Sequence, residues 1–146
     1  MEQIRLKRIT SKDYIFLYDL LQKRNKNASI SHKKMPTYSQ HLKFISSKPY
    51  SHWYIILQNH EKIGSIYLTD INEIGLSIIK EKQGQKIEKS ALKILMKKHQ
   101  KKRFLVNVST KNKKLELFLK NYGFKKIQQT YELIKWDENI LKTIKL

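Results

Sequence analysis

From Glu73 to Met96 the chain reads EIGLSIIKEKQGQKIEKSALKILM, a strand that turns into a helix, and everything else has to arrange itself around it. Ile74, Leu76 and Ile78 alternate with Gly75, Ser77 and Ile79, the two-residue period of a pleated element buried on at least one face. A charged loop, Lys80 to Gln85, follows. Ile87, Ala91, Ile94 and Leu95 then recur at helical spacing and form one apolar stripe. Strand, short glycine-containing loop and helix make a phosphate-binding arrangement. The first helical N–H groups have no partner within the helix, and the dipole is positive at that end. A single Gly84 before a helix equally makes an ordinary turn, so the feature alone names no ligand.

The sequence has 146 residues, the size of one domain with one core, and we expect a single domain over residues 1–146. Hydrophobic residues make up 40%, enough to pack a core, which argues against global disorder. No apolar run is long enough to span a bilayer, so no membrane partner is expected. MEQIRLKRIT lacks the apolar region of a signal peptide, so the expected location is cytoplasmic. There is no Cys, which excludes disulfides, a thiolate nucleophile and thiolate metal sites. The five His show no ligand spacing and there is no Gly-x-Ser-x-Gly elbow, so neither a metal centre nor a serine hydrolase is expected.

The formal net charge of +19 attracts anions of every kind, nucleic acid and nucleotides included. A solvated basic surface is the alternative, since Lys far outnumbers Arg and Ile and Asn are abundant, as an A/T-rich genome would supply.

The flanking segments supply the other elements. Residues 3–9 alternate as a first strand. Ser11 can cap a helix with Asp13 in its first turn, and Tyr14, Leu17, Tyr18 and Leu21 form its stripe, ending near Arg24. Arg24 to Pro36 has loop chemistry. Thr37-x-x-Gln40 fits a capping box, and Tyr38, Leu42 and Ile45 can face inward from the helix it opens. Trp53–Leu57 and Ile63–Thr69 read as strands around a hairpin turn at Asn59–Glu61, and an antiparallel meander leads into Glu73. Phe104–Ser109 should be a strand parallel to Glu73–Ile79, because a helix joins them. Asn112–Asn121 reads as a helix closed by Gly123, Thr130–Trp136 as a last strand, and the tail as a short amphipathic helix.

The order of these elements, and two motifs, resemble the GNAT superfamily of acyltransferases over nearly the whole chain. Gln83 and Gly84 stand where that family has Gln/Arg-x-x-Gly-x-Gly/Ala, while Lys86 and Glu88 stand where it has glycine or a small residue. Asn112, Gly123 and Phe124 match its second signature, and Leu119 occupies the place of a Tyr that many members use to protonate the leaving thiolate. Arg24-Asn25, Ser31-His32 to Pro36-Thr37, His41, Phe44, Trp53-Tyr54 and Ile63-Gly64-Ser65-Ile66 are similar to the enzymes that acetylate nucleotide-linked amino sugars, of the pseudaminic-acid pathway type.

The resemblance implies an α/β (α+β) fold. Its central sheet would be twisted and mostly antiparallel, with one splayed parallel strand pair and flanking helices. It implies acetyl-CoA as co-substrate and a small-molecule amine as acceptor, with no metal. Ser77, Ile78 and Ile79 would bind the pantetheine arm through their backbone. Gln83, Gly84, Gln85, Lys86, Ile87 and Glu88 would cradle the pyrophosphate, and Asn112 would touch the arm or the loop. The acceptor ammonium must lose a proton before it attacks, and Glu73 is the candidate base, unless it is only a solvated strand-end carboxylate. A backbone N–H near Ile78 is the expected oxyanion donor.

His32 and His41 flank a loop over the acceptor site and suit either sugar or phosphate binding, or the role of base; each also suits packing or the surface. Arg24 can pair with a phosphate or merely cap the first helix. Trp53 and Tyr54 point to opposite faces, so at most one meets a ligand, and Tyr67, like them, suits either a ligand or packing.

Two other readings remain. One is acetylation of a protein N-terminus or Lys, which needs an open slot rather than a deep basic pocket. The other is a non-catalytic module of the same fold that binds nucleic acid or another anionic partner, with Lys97–Arg103, a cluster without interleaved aromatics, as the contact for nucleic acid. A monomer or a homodimer paired through strand edges is compatible with the sequence.

Overall fold

Branched and aromatic residues make His52–Gln58 (β2) and Glu61–Leu68 (β3) the centre of the sheet. Their two-residue turn, Asn59 and His60, has φ of 48° and 75°, the left-handed pair that matches strand twist. The computed structural model describes residues 3–24, 34–84, 86–133 and 138–144. Residues 25–33, with Asn25, Ser31 and His32 among them, and Gln85 lie outside the described residues. By backbone contacts the chain forms two compact units, Met1–Lys113 and Lys114–Leu146.

The first unit holds a five-stranded sheet in the order β1-β2-β3-β4-β5, with β1 at Ile4–Arg8, β4 at Glu73–Ile78 and β5 at Leu105–Val106. Neighbours are antiparallel except β4 and β5, which are parallel. Helices α1 (Tyr14–Gln22) and α2 (Tyr38–Ser46) cover one face, where Leu17 and Ile45 pack with Ile55 and Leu57. Helix α3 (Ile87–His99) packs along β1, and its last residue, His99, bonds Tyr54 on the opposite face. This is the expected mixed α/β architecture, a mostly antiparallel sheet with one parallel pair, flanked by helices.

Local chemistry explains the helix starts. The Thr37 hydroxyl accepts from the Gln40 N–H at 3.2 Å, and Gln40 Oε1 accepts from the Thr37 N–H at 2.9 Å, the expected capping box. The first helix starts one residue earlier than expected. A 3-10 turn, Ser11–Asp13, precedes α1, and the cap is Thr10, whose N–H donates to Asp13 Oδ2 at 2.8 Å.

Asp13 is fully buried and ion-paired at 2.7 Å to both Lys7 and Lys62. The Lys62 pairing depends on a β-bulge between Ile56 and Leu57, which sets Lys62 opposite Leu57 on the helix-covered face.

The strand expected over Phe104–Ser109 is only Leu105–Val106, and the chain leaves β4 directly afterwards. Helix α4 (Lys113–Asn121), whose residues after Lys113 belong to the second unit, ends as expected: Gly123 has φ of 88° and the Phe124 N–H returns to the Leu119 carbonyl at 3.0 Å. No strand forms at Thr130–Leu133; Tyr131 is 87% exposed and buries no apolar face that would hold a strand. The rest of that expected strand, through Trp136, lies outside the described residues. The tail helix is α5 (Glu138–Thr143). Among the described residues no helix is long and apolar enough to cross a membrane.

Candidate active site

Strand register builds the site. Trp53, Tyr67 and Gly75 stand opposite one another on β2, β3 and β4, as do Ile55, Ser65 and Ser77. Because Gly75 has no side chain, the Tyr67 ring occupies the space a Cβ there would need. Tyr50, in the link from α2 to β2, stacks on Tyr67 with ring centroids 3.6 Å apart and planes 3° apart. Trp53 meets the Tyr50 ring edge-on at 4.7 Å, and Phe44 does so at 5.8 Å.

These rings wall a cleft of about 180 Å³ between α1, α2 and the sheet, with Gly75, Leu76 and Ser77 of β4 in its lining. Arg24, His41 and Tyr67, three of the candidate substrate residues, come together there. His41 is buried, with Tyr18 at 5.5 Å and Phe44 at 6.4 Å between ring centroids. Trp53 faces the cleft and Tyr54 the opposite side of the sheet, as alternation requires.

The described lining residues include Arg24 but no Asp or Glu. Burial pushes the Tyr50 phenol well above its ordinary range, and the neighbouring Tyr67 phenol pushes the same way, while Arg24 pulls it down. Tyr50 is therefore a neutral hydroxyl in the cleft at any ordinary pH.

Sequence reasoning missed Tyr50, which it used only to end a helix. The available signal was the aromatic run Phe44, Tyr50, Trp53 and Tyr67 together with a glycine in the strand opposite one of them.

Glu73 lies on the same sheet face two residues before Gly75, but it does not line the cleft. Its carboxylate accepts from Asn107 Nδ2 at 2.9 Å, across the mouth of the parallel strand pair.

The parallel pairing covers only Glu73↔Leu105 and Ile74↔Val106. The Ile79 N–H donates to Ile63 and the Thr69 N–H to Glu73, so odd-numbered residues of β4 turn their backbone toward β3. Leu76 and Ile78 therefore turn theirs toward the side β5 has left. Of Ser77, Ile78 and Ile79, only Ile78 presents its backbone to that gap, while the Ser77 side chain lines the cleft.

The loop after β4 is built by its own side chains. Gln83 Nε2 donates to the Ile78 carbonyl at 2.9 Å, tying the loop to the strand end. Gly84 has φ of 80° with open space where a Cβ would stand. Lys86, the cap of α3, has φ of 64°, so it holds the left-handed conformation that glycine adopts most easily. Ile87 is buried and begins α3. Glu88 Oε1 accepts from the Gly84 N–H at 3.4 Å, so the chain's own carboxylate lies over one of the amides an anion would use.

Asn112 precedes α4, and its N–H donates to the Ser109 carbonyl at 2.9 Å. The loop residues and N-terminal N–H groups of α3 thus fit an anionic group once Glu88 turns aside. Among the described residues no group of three or more His, Cys, Asp or Glu could hold a metal ion.

No protein-family model matches the sequence, and no curated protein does. Solved structures do match. A domain from Methanocaldococcus jannaschii DSM 2661 superposes with a TM-score of 0.78 at 20% identity, covering 90% of this chain and 94% of that one. Mutant forms of the spermidine/spermine N-acetyltransferase SpeG from Vibrio cholerae give 0.64 at 20% identity, covering 84% and 80%. RimL, a ribosomal L7/L12 alpha-N-protein acetyltransferase in complex with coenzyme A, gives 0.67 at 16% identity, covering 83% and 79%. The chain has the fold of the GNAT acetyltransferases.

Proposed function

We propose that the protein is an acetyl-CoA-dependent N-acetyltransferase whose acceptor is a primary amine on a small anionic molecule, a nucleotide-linked amino sugar. One observation carries this reading. Strand β4 lines the aromatic cleft through Gly75, Leu76 and Ser77, and the same strand parts from β5 after Ile74. A thioester held along the parted edge would meet an amine held in the cleft.

Acetyl-CoA supplies the activated acetyl group. The backbone of Leu76 and Ile78 binds the arm, with Ser77 and Ile79 as the flanking residues named by the resemblance. Gln83, Gly84, Gln85, Lys86 and the first turn of α3 from Ile87 take the pyrophosphate, with Glu88 displaced from Gly84. Asn112 contacts the arm or the loop. Glu73, outside the cleft lining, accepts the proton of the acceptor ammonium through water, and His32 on the loop is the second candidate for that task. A backbone N–H near Ile78 donates to the developing oxyanion. Leu119 has no proton to give, so water protonates the leaving thiolate.

The charge of the cleft selects the acceptor. A polyamine carries further ammonium groups, which need carboxylates, and the described lining offers none. Arg24 suits a phosphate, while His41 and Tyr67 offer hydrogen bonds and ring faces to a sugar or base.

Calorimetry with acetyl-CoA, a thermal melt and an acceptor panel test the proposal. Ligand at about a hundred times its dissociation constant should add roughly 2.7 kcal/mol of stability. Nucleotide-linked amino sugars should be acetylated in preference to spermidine and to peptide N-termini, and Arg24→Gln should raise their KM about tenfold or more. No binding at millimolar acetyl-CoA would sink the enzyme. Preference for spermidine would sink the acceptor.

A further inference from the structure

We infer that the face of the sheet opposite the cleft carries a second binding site, in which Arg8, His52, Lys98 and His99 hold a phosphate-type oxyanion. The four side chains come from β1, β2 and the end of α3, and a single buried ring collects them. The Arg8 guanidinium lies 5.6 Å from the centroid of Tyr54, and Lys98 Nζ lies 5.7 Å from the same centroid. The Tyr54 hydroxyl bonds His99 Nε2 at 2.8 Å. The His52 and His99 rings stack at 3.9 Å with planes 29° apart. Arg8 Nη2 is 3.3 Å from His52 Nδ1. A guanidinium only donates, so Nδ1 accepts and the His52 proton sits on Nε2.

Tyr54 is buried, which fixes the site's floor, while Arg8 and Lys98 are exposed and open to a ligand. Among the described residues no carboxylate pairs with Arg8, Lys98 or the adjacent Lys101. Cations gathered this closely repel one another, and an oxyanion would relieve that repulsion at every contact.

The imidazoles carry the consequence. Burial and the surrounding cations hold both below the ordinary range, with Arg8, Lys101 and Lys98 acting on His52, and His52 and the same three on His99. A bound oxyanion favours their protonated forms, so it should raise both pKa values. By linkage it should bind more tightly as pH falls through their titration. The groups facing the pair are Arg8 on β1, Tyr54 on β2, Lys98 on α3 and Lys101 just beyond it; none is a carboxylate.

The test is an imidazole NMR titration of the intact protein against pH, with and without inorganic pyrophosphate, and with a short single-stranded oligodeoxynucleotide in a parallel arm. The expected result is a saturable change in the His52 and His99 resonances, a rise in both pKa values and at least tenfold tighter binding at pH 5.5 than at pH 7.5. Arg8→Gln/Lys98→Gln should weaken binding about tenfold or more. Lys23→Gln/Lys43→Gln removes the same charge from exposed positions on the helices over the opposite face of the sheet and should leave binding at this site unchanged.

Tighter binding of the oligonucleotide, with a steep salt dependence, would identify the source as a nucleic-acid backbone. Equal or tighter binding of pyrophosphate would identify a free phosphate compound. Unmoved His52 and His99 resonances under saturating pyrophosphate would overturn the site, even if the loop after β4 binds the ligand. Equal weakening by the two double variants would also overturn it, since bulk charge would then account for the binding. Lys98→Gln alone, an exposed change, repeats the comparison if the double variant fails to fold.

Discussion

The Tyr67 ring fills the space above Gly75, its cross-strand partner, and Tyr50 stacks on the ring at 3.6 Å. Gly75→Ala would drive a methyl group into that ring. Tyr67 would have to leave, and the stack with Tyr50 would go with it. The expected cost is about 1–3 kcal/mol of stability in urea unfolding. Tyr67→Ala in the same chain should recover part of that loss, because the clash disappears with the ring. A Gly75→Ala protein as stable as the parent would mean that the ring shifts freely. In an assay of the proposed reaction the acceptor KM should rise with little change in acetyl-CoA affinity.

Glu88 holds the Gly84 N–H at 3.4 Å, which sets the chain's own carboxylate against any pyrophosphate. Glu88→Gln removes the charge and keeps the size. The dissociation constant for CoA should fall about threefold to tenfold by calorimetry, while the apo helix loses about 0.3–1 kcal/mol of dipole stabilisation. An unchanged constant would show that Glu88 swings clear on binding at negligible cost.

Glu73 sits at the mouth of the parallel strand pair, held by Asn107 at 2.9 Å. As the proposed base, Glu73→Gln should lower kcat about a hundredfold and leave acetyl-CoA affinity nearly unchanged. A rate within twofold of the parent would remove Glu73 from the mechanism and turn attention to His32.

Asp13 supplies a pH dependence independent of catalysis. Burial alone would raise its pKa, but hydrogen bonds from Lys62, Lys7 and the Thr10 N–H outweigh this and bring it from 3.8 down to about 2. The folded-state value is the lower one. The stabilisation is therefore complete above pH 3.8 and is lost as pH falls toward 2. Asp13→Asn should be less stable at neutral pH by about 1–3 kcal/mol. Its stability should also fall less steeply than the parent's between those two pH values, as read from urea midpoints. Parallel slopes would mean that Asp13 does not carry this linkage.

Much of the fold was legible because it is set within a few residues. Alternation placed β1 to β4, helical spacing placed α1 to α3, and Thr37-x-x-Gln40 announced its own capping box. Gln83 and Gly84 marked the turn into α3. Lys86 shows the limit of such reading. It departs from a glycine pattern in letter, yet its backbone takes the left-handed conformation that the pattern serves. Side-chain identity concealed the agreement.

The sequence by itself determined where strand gives way to helix, where the hairpin turns and where the chain caps, because backbone preference and apolar period act over neighbours. Tertiary structure alone decided that Tyr50 lies on Tyr67, that Lys62 reaches Asp13 past a bulge, that β5 ends after Val106 and that His52 meets His99. Each of these joins residues far apart in sequence through register and packing. A one-residue change in register would have sent every such side chain to the other face.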